Sequence, residues 1–153
     1  MKKIMIVEDD KDICRELKEM LDHAGYEGVV LSDFHNGCRQ ILKAKPDLVL
    51  LDINIPFQNG EMLLKELRES SDVPVIMVTS RESEADEVLS MSYGADDYIV
   101  KPFDPMELVA RVKSHLARYA RLTHKGEKTE EEEYDANDYI LQIGDLKIMT
   151  KSW

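Results

Sequence analysis

The chain has 153 residues, which is enough for one well-buried domain and a short extension. Its 31 acidic residues exceed its 20 basic residues, and the formal net charge of -11 at pH 7 disfavours binding to nucleic acid or to an anionic lipid surface. No apolar run is long enough for a membrane span or a signal-peptide core, so we expect a soluble, cytoplasmic protein without a membrane partner.

Five short apolar runs are the predicted strands. They are KIMIV (3–7), GVVLS (28–32), DLVLL (47–51), PVIMV (74–78) and DYIV (97–100), all rich in β-branched and aliphatic residues. Strands that are apolar on successive residues are typical of a parallel sheet that helices cover on both faces.

Segments of helical periodicity follow the strands. They predict helices over residues 11–24, 33–44, about 60–67, 82–93 and about 105–118. Asn59 is the expected N-cap of the third helix. Asp104 is the expected N-cap of the fifth helix, with Pro105 at its first position and Glu107 at the spacing of a capping box. The fourth pattern is weaker, and its expected apolar set is Val88, Leu89 and Met91. Cys14 and Cys38 fall in the first two helices without metal-ligand spacing and are expected to be reduced thiols.

The alternation predicts an α/β fold of (βα)5 type. Right-handed crossovers make a doubly wound parallel sheet with strand order 2-1-3-4-5, as in flavodoxin-like proteins, the expected topology. Residues 1–121 form this domain, and the acidic segment 122–138 is the expected flexible linker. Residues 139–153 alternate like half-buried strands but are too few to bury a core, so they are expected to open a second domain rather than form a tail that needs a partner.

Acidic side chains follow the first and third predicted strands. Glu8, Asp9 and Asp10 end the first strand, and Asp52 follows the third. In this topology the two strands are neighbours at the switch point, where functional residues of doubly wound sheets collect. Carboxylates held close together repel one another unless a cation is present, so the pattern predicts a Mg2+ site with oxygen ligands.

Two further strand ends carry complementary groups. Thr79 follows the fourth strand and Lys101 the fifth, which places a hydroxyl donor and a compact positive charge at the same edge. Phosphoryl transfer depends on positioning and charge neutralisation, so the set predicts a phosphoryl receptor with Asp52 as a carboxylate nucleophile. Taken singly, each residue could instead be a helix cap or a solvated surface charge.

Four motifs resemble one family. IMIVEDD, LVLLDINIP, PVIMVTS and GADDYIVKPF are similar, in order and spacing, to the CheY-like receiver domain of two-component response regulators. The last motif and LQIGDLKI further resemble the OmpR/PhoB-like branch, whose effector is a winged-helix DNA-binding domain. The resemblance implies that 1–121 is a receiver and that 139–153 is the start of an effector truncated before any recognition helix, so DNA binding belongs to the missing part.

The resemblance also assigns roles. It implies that Asp52 accepts a phosphoryl group from the phosphohistidine of a sensor histidine kinase. Asp9, Asp52 and the backbone carbonyl of Asn54 would hold Mg2+, and Glu8 would act through metal-bound water. Lys101, before a cis peptide bond to Pro102, would pair with a phosphate oxygen, and Thr79 and Tyr98 would be the switch residues.

In this branch the activated domains form a homodimer through the fourth helix, fifth strand and fifth helix. Asp97, Glu107 and Arg111 match charged positions of that face. Glu87 stands where a basic residue is common, and it would repel Glu107 of the second copy. The resemblance therefore implies a dimer that still forms but is weaker.

Three other functions compete with this interpretation. A Mg2+-dependent phosphohydrolase with an Asp nucleophile needs an acid two residues later, where this chain has Asn54. A flavin-binding module would place its phosphate loop where EDDKD stands, and those charges would repel a phosphate. The third alternative is a degenerate receiver that is never phosphorylated and dimerises constitutively. Glu87 keeps this interpretation possible, although no site residue is missing. The leading interpretation is a signalling domain and not a turnover enzyme.

Overall fold

A computed structural model describes residues 1–80 and 83–123 of the chain. Contacts divide the chain into a compact unit, residues 1–116, and a second unit from residue 117 onward, of which the structure describes only the last turns of one helix. The predicted segment 139–153 and all but the first two residues of the predicted linker lie outside the described residues.

Strands and helices alternate along the whole first unit. The strands are β1 (Lys3–Val7), β2 (Glu27–Val30), β3 (Leu48–Leu51), β4 (Val75–Thr79) and β5 (Asp97–Val100). The helices are α1 (Lys11–His23), α2 (Gly37–Ala44), α3 (Gly60–Arg68), α4 (Glu84–Ser92) and α5 (Pro105–Thr123), and a 3-10 turn (Phe34–Asn36) precedes α2. None of the helices in these two ranges is long and apolar enough to cross a membrane.

The five strands form one parallel sheet in the order β2-β1-β3-β4-β5, which confirms the predicted topology. In the register of the two central strands, Val7 lies opposite Leu51. The residues that follow β1 and β3 therefore meet at one edge of the sheet, as the switch-point argument requires.

Alternate residues of each strand face opposite sides of the sheet, and each side has its own apolar core. Ile4 and Ile6 pack in the core under α1 and α5, with Leu17 and Leu108. The second core lies under α2 and α3 and contains Met5, Val7, Ile41, Leu63, Leu64, Leu67 and Tyr98. The strands are apolar on both faces because helices cover both faces, as predicted.

The structure corrects the predicted bounds at several ends. Strand β2 ends at Val30, two residues early, although the Leu31 amide still donates to the Ile6 carbonyl at 2.9 Å. The first turn of the predicted second helix is the separate 3-10 turn, capped by the Asp33 carboxylate. Helix α5 runs to Thr123, beyond the predicted end near 118 and into the predicted linker.

The prediction for α4 is wrong in its apolar set. Val88, Leu89 and Met91 are 62%, 40% and 44% exposed, and the residue that α4 buries is Ser90. Hydrophobic periodicity misplaces the inner face here because that face carries a hydroxyl instead of a methyl group.

Candidate functional site

Two carboxylates and an ammonium meet where β1, β3 and β5 end. The Lys101 Nζ donates to the Asp52 Oδ2 at 3.0 Å and also to the Glu8 Oε1. All three side chains are largely shielded, with exposed fractions of 14% for Lys101, 7% for Asp52 and 5% for Glu8. The structure thus brings together three predicted site residues that lie far apart in sequence.

Burial and ionic contacts act in opposite directions on this cluster. Burial raises the pKa of Glu8, and the hydrogen bonds from Lys101 and the Asp10 amide only partly offset that increase. Burial alone would lower the pKa of Lys101, but its hydrogen bonds to Glu8 and Asp52 outweigh burial and raise it. Lys101 therefore stays charged at neutral pH and compensates one of the two buried carboxylates.

The backbone around Asp52 is tightly fixed. The Asp52 amide donates to the Val7 carbonyl at 3.1 Å, and the Asn54 amide donates to the Asp52 Oδ1 at 3.2 Å. Gly60, the first residue of α3, lies so close that a Cβ there would be 2.0 Å from the Asp52 carbonyl oxygen. The site carboxylate is therefore held by a neighbouring strand, its own loop and the start of α3.

The acidic run after β1 separates into distinct roles. Glu8 points into the cluster, while Asp9 and Asp10 are exposed. The Asp10 carboxylate caps α1, accepting from the Asp12 and Ile13 amides at 2.9 and 3.2 Å. Asp10 therefore matches the alternative interpretation of a helix cap, which the sequence left open.

The predicted switch residues lie on adjacent strands. Thr79 ends β4 and is fully buried, and Tyr98 in β5 is 9% exposed and packs in the core under α2 and α3. The register pairs Met77 with Tyr98 and Thr79 with Val100. The Lys101–Pro102 peptide bond is cis, as the resemblance implies.

The charged residues of the predicted dimer face pair within one chain. Arg111 donates to Asp97 Oδ1 and Glu107 Oε2, both at 2.7 Å, and the His115 Nε2 lies 3.0 Å from Asp97 Oδ2. Burial opposes the ionisation of Asp97, but these partners outweigh it and lower the pKa of Asp97. Glu87 is exposed on α4.

The donor set fits a hard divalent cation of the kind predicted. Within residues 1–80 and 83–123 no three His, Cys, Asp or Glu side chains cluster as a metal site. Mg2+ does not need such a cluster, because it commonly takes one or two carboxylates and keeps several waters. Glu8 and Asp52 share a single ammonium, so one buried negative charge is left for a cation to balance.

Three features of this region were missed at the sequence level. Gly60 contacts Asp52, the buried Glu61 carboxylate accepts from Ser90 Oγ at 3.1 Å, and Arg68 donates to the Val73 and Gly94 carbonyls at 2.7 and 2.8 Å. The glycine directly after the N-cap Asn59 was a usable signal for a close approach. Glu61 in the first turn and Arg68 in the last turn of α3 gave no such signal, because charges of these signs at helix ends are commonly exposed and interact favourably with the helix dipole.

The cysteines match their predicted state. Cys14 and Cys38 are free thiols on α1 and α2. Burial, with the nearby charges of Glu8 and the two following aspartates, raises the pKa of Cys14 to about 11. The thiol therefore stays protonated at neutral pH, and its Sγ donates to the Glu8 carbonyl at 3.1 Å.

Known proteins resemble the chain over this region. Residues 4–113 match the family model described as the response regulator receiver domain. Regulatory protein VanRc of Enterococcus gallinarum is 37% identical over 141 residues, which are 92% of this chain and 61% of VanRc. Transcriptional regulatory protein CpxR of Klebsiella pneumoniae is 46% identical over 118 residues, which are 77% of this chain and 50% of CpxR. The chain thus spans between half and two thirds of these curated relatives.

A solved receiver structure has the same fold. The BeF3-activated N-terminal receiver domain of Klebsiella pneumoniae RstA superposes with a TM-score of 0.72 at 36% identity. The match covers 75% of this chain and 98% of the RstA domain. Nearly the whole RstA receiver domain is therefore matched by this chain.

Proposed function

The chain belongs to the response regulator receiver family, and on that premise we propose that Asp52 accepts a phosphoryl group from the phosphohistidine of a sensor histidine kinase. In the proposed full-length protein, phosphorylation switches dimerisation of the receiver and so DNA binding and transcription by the effector domain. A curated relative, CpxR, is named a transcriptional regulatory protein, which supports a role for the full-length protein in transcription.

The observation that carries the proposal is the contact between Asp52 and Lys101 at 3.0 Å beside Glu8. A carboxylate oxygen of Asp52 attacks phosphorus, the bond from phosphorus to the imidazole nitrogen breaks, and its electron pair stays on the imidazole. The product is an acyl phosphate. Lys101 lies where it can pair with an oxygen of the incoming phosphoryl group, so the charge of the transition state is balanced by a group already in position.

Asp9, Asp52 and the backbone carbonyl of Asn54 would hold Mg2+, with Glu8 beside them. The ion, when bound, neutralises charge on the phosphoryl oxygens. The residual negative charge of the Glu8, Asp52 and Lys101 cluster supports this assignment. The exposed position of Asp9 leaves that carboxylate open to solvent and to a hydrated ion.

Thr79 and Tyr98 are the proposed switch. Thr79 ends β4, the strand beside β3, so its hydroxyl is a donor at the same edge of the sheet as Asp52. When the Thr79 hydroxyl moves toward the phosphate, it vacates space in the core. The ring of Tyr98, on the neighbouring strand, then turns inward to fill that space. The burial of both side chains supports this coupling, because a packed core transmits small shifts.

The proposed dimer uses α4, β5 and α5. Arg111 already pairs with Asp97 and Glu107 inside one chain, so a dimer must exchange or share these contacts. Such exposed pairs contribute little free energy each, which fits a weak dimer controlled by phosphorylation. Glu87 repels Glu107 of the second copy, and this repulsion weakens the dimer further.

The proposal is tested by intact-mass measurement. The chain is incubated with Mg2+ and acetyl phosphate, and wild type is compared with Asp52→Ala and with the control Asp12→Ala, which removes an exposed carboxylate of α1. We expect one phosphate on wild type and Asp12→Ala and none on Asp52→Ala. A phosphate that survives Asp52→Ala contradicts the assignment.

A further inference from the structure

The first residue of α3 is packed against the backbone of the phosphoacceptor. The Gly60 amide donates to the Ile53 carbonyl at 2.7 Å, and the space for a Cβ is filled by Asp52 backbone atoms. A displacement of Asp52 therefore moves the start of α3 with it, because two backbones in contact cannot shift independently.

The next residue connects α3 to α4. Glu61 is 5% exposed, and its Oε2 accepts from the Ser90 Oγ at 3.1 Å. Ser90 is fully buried. A buried hydrogen bond to a carboxylate is strong, and losing one partner leaves a polar group without water, so the pair resists separation.

Helix α4 buries little apolar surface in its middle. Its apolar residues Val88, Leu89 and Met91 are substantially exposed, so apolar burial contributes little to its position. Arg68 binds the Gly94 carbonyl just after the end of α4, which fixes that end only. The Ser90 hydroxyl therefore gives the middle of α4 a buried polar contact with α3.

We propose that Glu61 and Ser90 are positioning residues that transmit the state of Asp52 to α4 through Gly60. This inference rests on the proposed function, because it concerns the consequence of phosphorylating Asp52. A phosphoryl group displaces the Asp52 backbone, the shift moves Gly60 and Glu61, and the altered hydrogen bond to Ser90 changes the stability of α4. The route uses residues of α3 and α4 and is separate from Thr79 and Tyr98, which lie on β4 and β5.

Hydrogen exchange of α4 tests the route in the full chain. Peptides covering residues 84–92 are followed by mass spectrometry with and without acetyl phosphate and Mg2+. We expect phosphorylation to change α4 exchange in wild type. Ser90→Ala should speed α4 exchange at least about tenfold in the unphosphorylated chain, the factor for one lost hydrogen bond to a charged group, and should abolish the response to phosphorylation.

Two variants separate the hydrogen bond from general damage. Glu61→Gln keeps an acceptor for Ser90 and should retain the response. The double variant Glu61→Leu/Ser90→Ala removes the bond without leaving a buried polar group unpaired, and it should lose the response as Ser90→Ala does. Ser92→Ala removes an exposed hydroxyl of the same helix and should behave as wild type.

Intact mass of each sample reports the phosphate on Asp52, so the two proposals fail differently. If wild type gains no phosphate, the proposed function fails and this inference fails with it. If Asp52 is phosphorylated but α4 does not respond in wild type, or responds equally in Ser90→Ala, only the inference is overturned. If Glu61→Gln loses the response, the hydrogen bond to Ser90 is not what connects Asp52 to α4.

Discussion

Gly60→Ala places a methyl group against the backbone of Asp52, the proposed phosphoacceptor. The new Cβ would lie 2.0 Å from the Asp52 carbonyl oxygen and 2.8 Å from the Ile53 Cα, while real Cβ atoms essentially never approach within 3.0 Å of such atoms. The obstructing atoms belong to the backbone, so no side-chain rotation relieves the clash. The Asp52 peptide must move by about 1 Å merely to reach the 3.0 Å limit.

The size of the effect follows from that displacement. Overpacking of this kind costs about 1–3 kcal/mol of the free energy of unfolding, and a backbone clash belongs at the upper end, about 3 kcal/mol. A reactive group displaced by about 1 Å can lose about a hundredfold in rate. We therefore expect Gly60→Ala to be less stable and to be phosphorylated on Asp52 about a hundred times more slowly.

Urea unfolding gives the stability, and intact mass over time with acetyl phosphate gives the rate. Gly25→Ala is the matched control: its φ of +92° strains an alanine, but a Cβ there meets no atom within 4 Å. It should lose about 1 kcal/mol of stability and keep its phosphorylation rate. If the two variants are phosphorylated equally fast, Gly60 does not position Asp52.

Three further variants test other contacts. Lys101→Met should slow phosphorylation about a hundredfold in the same mass assay, because one positively charged donor is lost, and an unchanged rate would contradict its role. Arg68→Ala should lower the free energy of unfolding in urea by about 2 kcal/mol, since partly buried carbonyls lose their donor, while the exposed Arg15→Ala changes it by less than about 0.5; equal losses would contradict this role of Arg68. Asp97→Asn should cost about 1 kcal/mol at pH 7. The lowered pKa of Asp97 means that its stabilisation is present above the ordinary value of 3.8 and is lost as pH falls below it, so the two unfolding curves should converge there; a gap independent of pH contradicts this.

The sheet was predictable because its chemistry is repetitive. Strands β1 and β5 begin and end where the apolar runs do, since both faces are buried and no polar residue interrupts the pattern. The order of the strands followed from the handedness of the crossovers, which depends on backbone geometry and not on particular side chains. The ends of β2 and α2 were less predictable, because hydrogen bonds from loop residues decide them.

Helix α4 shows where periodicity fails. Val88, Leu89 and Met91 gave the expected inner face, yet Ser90 occupies it. A buried serine carries no hydrophobic signal, and its partner Glu61 is encoded 29 residues earlier in another helix. Only the three-dimensional arrangement reveals such a pair.

The sequence predicted which strand ends bring charged side chains together, and it predicted only part of their geometry. Strand ends correctly brought Glu8, Asp52 and Lys101 together, because parallel strands end at the same edge. The strand-end pattern alone did not indicate which of the three acids after β1 is buried beside Asp52. In the structure this acid is Glu8, while Asp10 caps α1 and Asp9 is exposed. The roles of Thr79, Tyr98 and the dimer face stay predictions.

Chemical trapping identifies the side chain that carries the phosphoryl group. The chain is treated with acetyl phosphate and Mg2+, then with borohydride, which reduces an aspartyl phosphate to homoserine, and its peptides are analysed by mass spectrometry. We predict homoserine at position 52 and its absence when acetyl phosphate is left out. Reduction at position 8 or 9, or a phosphorylated chain with an unreduced Asp52, would contradict it.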